Sequence, residues 1–250
     1  MSNRYGLIGF PLGHSFSRDY FTEKFKKESI DAVYDLFPIK SIVQLSALVN
    51  NYPDLKGINV TIPYKQVIIP FLNSISEEAD KIGAVNTVKV IRDNNNIRLE
   101  GYNTDAPAFE AELKEFITEM PEKALILGTG GSSAAVAFVL KKLGIDFRFV
   151  SREPHTDDQI AYIQVDKDLI TKTQLIINCT PMGMLPDVGS FPEIPYKYLT
   201  SNHYLFDLVY NPETTEFLRR GKSQKANTKN GLSMLYKQAD FAWKIWNEKQ

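Results

Sequence analysis

Short apolar runs and helical apolar periods take turns along this chain, a rhythm that predicts an α/β architecture. Runs at residues 5–10, 32–38 and 57–60 predict buried strands. Phe21 and Phe25 mark the inner face of a helix that Ser17 is placed to cap. Ile42, Leu45, Leu48 and Val49 mark a second helix over residues 41–51. Pro63 stands where a first helical turn tolerates proline, so the strand at 57–60 is expected to run into a helix that breaks near Pro70. Ser76 caps a short helix reaching Ile82. A strand over 83–91, the turn cluster Asn94-Asn95-Asn96 and a return strand over 97–102 predict a hairpin. Polar clusters at Asn86 and at Asn103-Thr104-Asp105 bracket that hairpin, which brings them close in space.

The second half changes register. Phe109, Leu113, Phe116 and Ile117 give residues 106–118 a helical period, read as the bridge to a second domain. An apolar strand at 123–127 runs into Gly128-Thr129-Gly130-Gly131-Ser132-Ser133. An apolar helix over 134–143, ended by Gly144, and a strand at 147–150 follow. This is the βαβ unit of a dinucleotide-binding fold, in which glycines let backbone N–H groups approach a pyrophosphate at a helix N-terminus. The second strand ends Val150-Ser151-Arg152 with no acid at its tip; Arg152 suits a ribose phosphate and favours NADP, although Glu153 follows at once. Only a few polar residues, Pro154 among them, separate Arg152 from the next strand at 161–165. A parallel crossover usually takes about a dozen residues or more, so its helix is shortened or replaced by a loop.

A strand at 174–179 ends in Asn178-Cys179-Thr180-Pro181-Met182-Gly183-Met184, at a carboxyl end where ligands bind in open α/β sheets. Cys179 reads as a small buried residue. A strand at 204–209, a turn at Tyr210-Asn211-Pro212, a helix near 214–220 and a polar loop over 221–230 follow. Gly231 then precedes a long amphipathic helix over 232–247, which packs back on the first domain and carries Gln238 to its cleft. The pattern divides the chain into a substrate domain (1–105 plus 232–250) and a dinucleotide domain (106–231).

Composition narrows the function. With 250 residues, 43% hydrophobic and 24% charged, the chain has the composition of a soluble globular protein and the length for one large domain or two ordinary ones. A net charge of -1 argues against nucleic acid or an anionic membrane as partner. Cys179 is the single cysteine, which excludes an internal disulfide. His14, His155 and His203 show no metal-ligand spacing with it, so no metal is expected. No signal peptide or membrane span is visible, and a cytoplasmic location is the expectation. Asn59, Thr61 and Lys65 share one expected strand-to-helix junction, where a lysine tuned by a neighbour can exchange a proton or stabilise an alkoxide. Ser15 and Ser17 sit at a helix N-terminus, where hydroxyls either cap the helix or hold a carboxylate.

The motifs together resemble the shikimate dehydrogenase family, nearly end to end. They are Gly-Phe-Pro-Leu-Gly-His-Ser-Phe-Ser (9–17), Gly-Ile-Asn-Val-Thr-Ile-Pro-Tyr-Lys (57–65), Gly-Ala-Val-Asn-Thr (83–87), Gly-Tyr-Asn-Thr-Asp (101–105) and Gly-Thr-Gly-Gly (128–131). Asn-Cys-Thr-Pro-Met-Gly-Met (178–184), Asp-Leu-Val-Tyr-Asn-Pro (207–212) and Gly-Leu-Ser-Met-Leu-Tyr-Lys-Gln-Ala (231–239) complete the set. The resemblance implies a two-domain reductase that interconverts 3-dehydroshikimate and shikimate, on the route to chorismate and the aromatic amino acids, with NADP or else NAD. It implies Lys65 and Asp105 as the catalytic pair, and Ser15, Ser17 and Tyr210 around the substrate carboxylate. Asn59, Thr61, Asn86, Asp105 and Gln238 match groups that bind ring hydroxyls. The implied cofactor contacts are Gly128, Thr129, Gly130, Gly131, Ser132, Ser151, Arg152, Thr180, Met182, Val209 and Gly231. The chain departs from the family's pattern where Ser17 is followed by Arg18-Asp19-Tyr20-Phe21, and where the cofactor tip reads Ser151-Arg152-Glu153. A quinate/shikimate dehydrogenase using NAD or NADP and a non-catalytic nucleotide-binding relative share the motif set; either a monomer or a homodimer is compatible with it.

Overall fold

The computed structural model describes residues 2–13, 15–93 and 96–248; His14 and the Asn94-Asn95 part of the expected turn lie outside them. The chain divides into two compact units, one running to Thr104 and resuming at Gln238, the other spanning Asp105–Lys237.

The first unit contains β1 (Asn3–Ile8), α1 (Phe16–Lys27), β2 (Ala32–Phe37), α2 (Leu45–Asn51) and β3 (Leu55–Val60). It continues with β4 (Ser74–Ile75), α3 (Glu77–Ile82), β5 (Thr87–Asp93) and β6 (Asn96–Tyr102). Its mixed six-stranded sheet runs β2-β1-β3-β5-β6-β4. β1 lies parallel to both β2 and β3, whereas β5 is antiparallel to β3 and to β6, which makes the expected hairpin. Successive side chains of a strand face opposite sides. Ile58 and Val60 therefore enter one apolar cluster with Leu45, Leu48 and Val49 of α2. The opposite face carries Tyr5, Leu7 and Tyr34 against Phe21 and Phe25 of α1.

The second unit contains α4 (Asp105–Phe116), β7 (Lys123–Leu127), α5 (Gly131–Lys142), β8 (Asp146–Ser151), β9 (Gln159–Ala161) and α6 (Lys167–Thr171). β10 (Leu175–Asn178), β11 (Tyr204–Asp207), α7 (Glu216–Ser223), β12 (Asn227–Lys229) and the first residues of α8 (Leu232–Asn247) follow. Its six strands are all parallel, in the order β12-β11-β10-β7-β8-β9. Numbered within the unit this is the doubly wound order of dinucleotide-binding domains, with the direction of winding reversing between β7 and β10. From Gln238 on, α8 belongs to the first unit: Ala239, Ala242 and Trp246 pack with Tyr5 and Phe21. Gly57 admits this contact, because a Cβ there would meet the Trp246 indole at 2.4 Å. The indole N–H donates to the Val88 carbonyl at 3.0 Å.

Several expectations change. No helix follows Pro63; turns lead to a single 3-10 turn at Ile69–Phe71. The Lys65 carbonyl, which a helix would offer four residues on, instead accepts the Val85 N–H at 2.7 Å, and prolines at 63 and 70 withhold donors. Ser15, not Ser17, caps α1, accepting the Arg18 N–H. The expected loop over 221–230 contains the end of α7 and the edge strand β12, which pairs with β11. The expected strand at 161–165 is β9 followed by a 3-10 turn. Cys179 is half-buried rather than buried. The crossover from β8 to β9 has no helix, as its length demands.

Candidate active site

In the first unit three of the singled-out residues, Ser17, Asn59 and Asn86, lie along one chain of hydrogen bonds. Ser17, in the first turn of α1, bonds the phenol of Tyr34 on β2; burial pushes that phenol well above its ordinary range, and the Ser17 bond offsets part of the shift. The Tyr34 hydroxyl donates to Asn59 Oδ1 at 2.7 Å. Asn59 Nδ2 reaches Thr87 Oγ1 at 3.3 Å and the Asn86 carbonyl at 3.4 Å. Asn86 Nδ2 donates to Thr104 Oγ1 at 2.9 Å, and the Thr104 N–H donates to Asn86 Oδ1 at 2.7 Å. The hairpin thus closes the clusters around Asn86 and Thr104 onto each other. Asn59 and Asn86 are 4% and 3% exposed, so each amide needs these partners.

Thr61 leaves β3 with its N–H on the Ile8 carbonyl (3.0 Å), and the bond from Val85 to Lys65 sets Lys65 one residue from Asn86 in backbone register. Ser15 is buried as the cap, and Lys65 and Ser17 are half-buried. Gln238, also buried, opens the stretch of α8 that belongs to this unit. Asp105, 6% exposed, is the first residue of α4 and of the second unit.

In the second unit the glycine loop stands where the winding reverses. Gly128 has φ +101°, a conformation costly for any side chain, and a Cβ there would lie 3.0 Å from Thr180 Cγ2. The loops after β7 and β10 therefore touch. Gly130 precedes α5 with no side-chain cap, and the space a Cβ would take is open. With Thr129, Gly131 and Ser132 beside it, this uncapped N-terminus of a twelve-residue helix suits a pyrophosphate in charge and in room, so the residues present fit a dinucleotide. At the tip of β8, Ser151 Oγ donates to the Glu153 carbonyl (3.0 Å) and accepts its N–H (3.2 Å); Arg152 and Glu153 both face solvent.

Three buried polar residues that sequence reasoning left unassigned complete this end of the sheet. Asn178 Oδ1 accepts both the N–H and the hydroxyl of Thr180, at 3.0 and 2.6 Å, and the Met182 N–H donates to Thr180 Oγ1 at 3.3 Å. Asn178 Nδ2 donates to Asp207 Oδ1 at 2.9 Å, as does the Val209 N–H at 3.0 Å, and Thr215 Oγ1 donates to Asp207 Oδ2. Burial pushes the Asp207 carboxyl up to about 6, although these three donors pull against it. The Gly231 N–H reaches the Val209 carbonyl at 3.2 Å, while Tyr210 is half-buried beside it. A carboxylate ending an apolar strand and followed by Leu-Val-Tyr was the signal available in the sequence. For Tyr34 the signal was its alternation with Leu36 on the face opposite Phe37.

Among the described residues no helix is long and apolar enough to cross a membrane, and no three His, Cys, Asp or Glu side chains group as a metal site. A doubly wound parallel sheet with a glycine loop at its switch point, joined to a separate mixed-sheet domain, is the architecture of a two-domain dinucleotide-binding protein. The sequence model of the shikimate dehydrogenase substrate binding domain matches residues 7–88. The NADP(+) shikimate dehydrogenase of Desulforamulus reducens is 35% identical over 96% of this chain and 88% of its own length. The chain belongs to the shikimate dehydrogenase family. A crystal structure of a chorismate mutase/shikimate 5-dehydrogenase fusion protein from Clostridium acetobutylicum superposes with a TM-score of 0.87 at 35% identity, covering 100% of this chain and 92% of that one. Shikimate 5-dehydrogenase from Thermus thermophilus, solved with NADP(H) and shikimate, gives 0.83 at 30% identity, covering 98% and 93%.

Proposed function

We propose that this protein catalyses the reversible NADPH-dependent reduction of 3-dehydroshikimate to shikimate. The likeness to NADP-dependent shikimate dehydrogenases over nearly the whole chain carries this reading. NADP, when bound, supplies or accepts the hydride at the ring carbon. Gly128, Thr129, Gly130, Gly131 and Ser132 would hold its pyrophosphate, and Ser151 and Arg152 its ribose phosphate, with Thr180, Met182, Val209 and Gly231 at the other end. Ser15, Ser17 and Tyr210 would bind the substrate carboxylate, and Asn59, Thr61, Asn86 and Gln238 the ring hydroxyls. Reduction of the ketone leaves an alkoxide that needs one proton. Lys65 Nζ would stabilise that oxygen and deliver the proton, and Asp105 would complete the catalytic pair.

The direct test follows nicotinamide absorbance with purified protein, shikimate and NADP, with NAD and quinate in parallel. Rapid reduction of NADP with shikimate is expected; absence of turnover from a folded protein that binds NADP removes the reading. Rapid turnover of quinate identifies the broader quinate/shikimate enzyme. Arg152 stands exposed beside Glu153 on a crossover without its helix, so the ribose phosphate depends heavily on this one side chain. Loss of a charged hydrogen bond is worth about 1.5–3 kcal/mol. Arg152→Ala is therefore expected to raise the NADP Kd roughly 10- to 100-fold while leaving that of NAD nearly unchanged, measured by calorimetry.

A further inference from the structure

The Asp207 carboxylate, at the end of β11, is fully buried, and the chemistry above does not use it. Its three hydrogen-bond donors are neutral and come from three places: the Asn178 side chain at the end of β10, the Val209 backbone in the loop leaving β11, and the Thr215 hydroxyl at the start of α7. Each of the three is itself committed elsewhere. Asn178 holds Thr180 by two bonds and lies 3.4 Å from the Met182 carbonyl through Nδ2. Thr215 caps α7 by accepting the Leu218 N–H, and a Cβ on Gly183 would lie 3.1 Å from Thr215 Cβ. Val209 receives the Gly231 N–H on its carbonyl.

One carboxylate therefore ties together both loops that leave the carboxyl ends of β10 and β11. Stability alone is poorly served by such a group, since a buried charge is disfavoured unless fully hydrogen-bonded, and an apolar side chain of similar size is often no worse. Fixing two loops against each other does require an acceptor with several lone pairs, which a carboxylate has. We propose that Asp207 is a positioning residue for NADP, acting through Asn178 and Val209 to set the loops that carry Thr180, Met182 and Val209 and, through the Val209 carbonyl, the backbone of Gly231. This rests on the reading of those residues as cofactor contacts.

The test uses the full chain and reads the NADP Kd by calorimetry, with KM and kcat for NADP reduction beside it. Supporting groups that hold contacting residues to within a fraction of an ångström control affinity steeply. Asp207→Asn removes the acceptor from Thr215 and is expected to raise the NADP Kd and KM about tenfold, with kcat at saturating NADP changed less than about threefold. Thr215→Val is expected to raise the Kd by about threefold to fivefold, and Thr215→Ser to restore it. Residues in one network do not act independently. Asn178→Ala and Asp207→Asn combined are thus expected to weaken NADP binding no more than the worse single change. An unchanged Kd in folded Asp207→Asn, or a double variant as weak as the product of the two singles, overturns the proposal. If Asp207→Asn does not fold, equal NADP affinity of the Val and Ser variants at 215 overturns it, and restoration by Ser supports it. Wild-type protein that binds NADP but turns over no shikimate sinks the enzymatic reading and leaves this test standing; wild-type protein that binds no NADP sinks both.

Discussion

Replacing Lys65 with alanine is expected to lower kcat for shikimate oxidation by about a thousandfold, while the shikimate Kd changes by less than about tenfold. The two effects separate because Lys65 acts on charge that exists mainly in the transition state. In the ground state the ring hydroxyls are neutral, and on the proposed reading they are bound by the amides of Asn59 and Asn86, which Tyr34, Thr87 and Thr104 hold in place. As hydride moves, the oxygen becomes an alkoxide, and only a cation with a transferable proton answers that change. The backbone at Lys65 is fixed to Val85, so the variant should keep its fold. Steady-state kinetics with shikimate titration by fluorescence distinguishes the outcomes. Turnover within threefold of wild type would remove Lys65 from the chemistry; an equal loss in Kd and kcat/KM would make it a binding group only.

Glu112→Gln is expected to destabilise the protein by about 2–3 kcal/mol, the second large effect. Glu112 on α4 is 1% exposed and receives Lys229 at 2.6 Å, Lys237 at 2.7 Å and the Ser233 hydroxyl. Burial by itself would raise its carboxyl, but these donors outweigh it and hold the group below its ordinary 4.5. Breaking one partner from a buried ion pair typically removes about 3–5 kcal/mol. The lower figure is expected here because both lysines are a fifth to a third exposed and can turn to water. A carboxyl whose folded pKa is depressed stabilises above its unfolded pKa and loses that contribution as pH falls through the folded value. The wild-type advantage over Glu112→Gln should therefore be constant above about pH 5 and shrink in acid below 4.5. Asp207 works in the opposite sense: raised to about 6, it stabilises most below its unfolded 3.8 and loses that contribution as pH rises through 6. Urea unfolding across pH 3–7 reads both. An advantage of Glu112 over Gln that does not shrink in acid would remove the ion pairs as its cause.

What the sequence determined by itself was local. β7, the glycine loop and α5 follow one another without a gap, so apolar run, glycines and helical period sufficed to show the first strand, turn and helix of a Rossmann-type domain. α8 was legible end to end because sixteen residues hold one apolar period. The missing helix after β8 was legible as arithmetic, since seven residues between strands cannot hold one. The tertiary structure decided whatever depends on a distant partner. Residues after Pro63 had a plausible helical start, yet Val85, twenty positions away, takes the Lys65 carbonyl and leaves turns. β12 is three polar residues that become a strand only because β11 offers an edge. Tyr34 finds Asn59 across 25 residues and Asp207 finds Asn178 across 29. Such pairings are set by sheet register and burial, which make a buried polar atom take whichever partner the fold brings to it. The sequence named the groups proposed to carry the chemistry; the fold supplied the side chains that hold Asn59 and Asn86 in place.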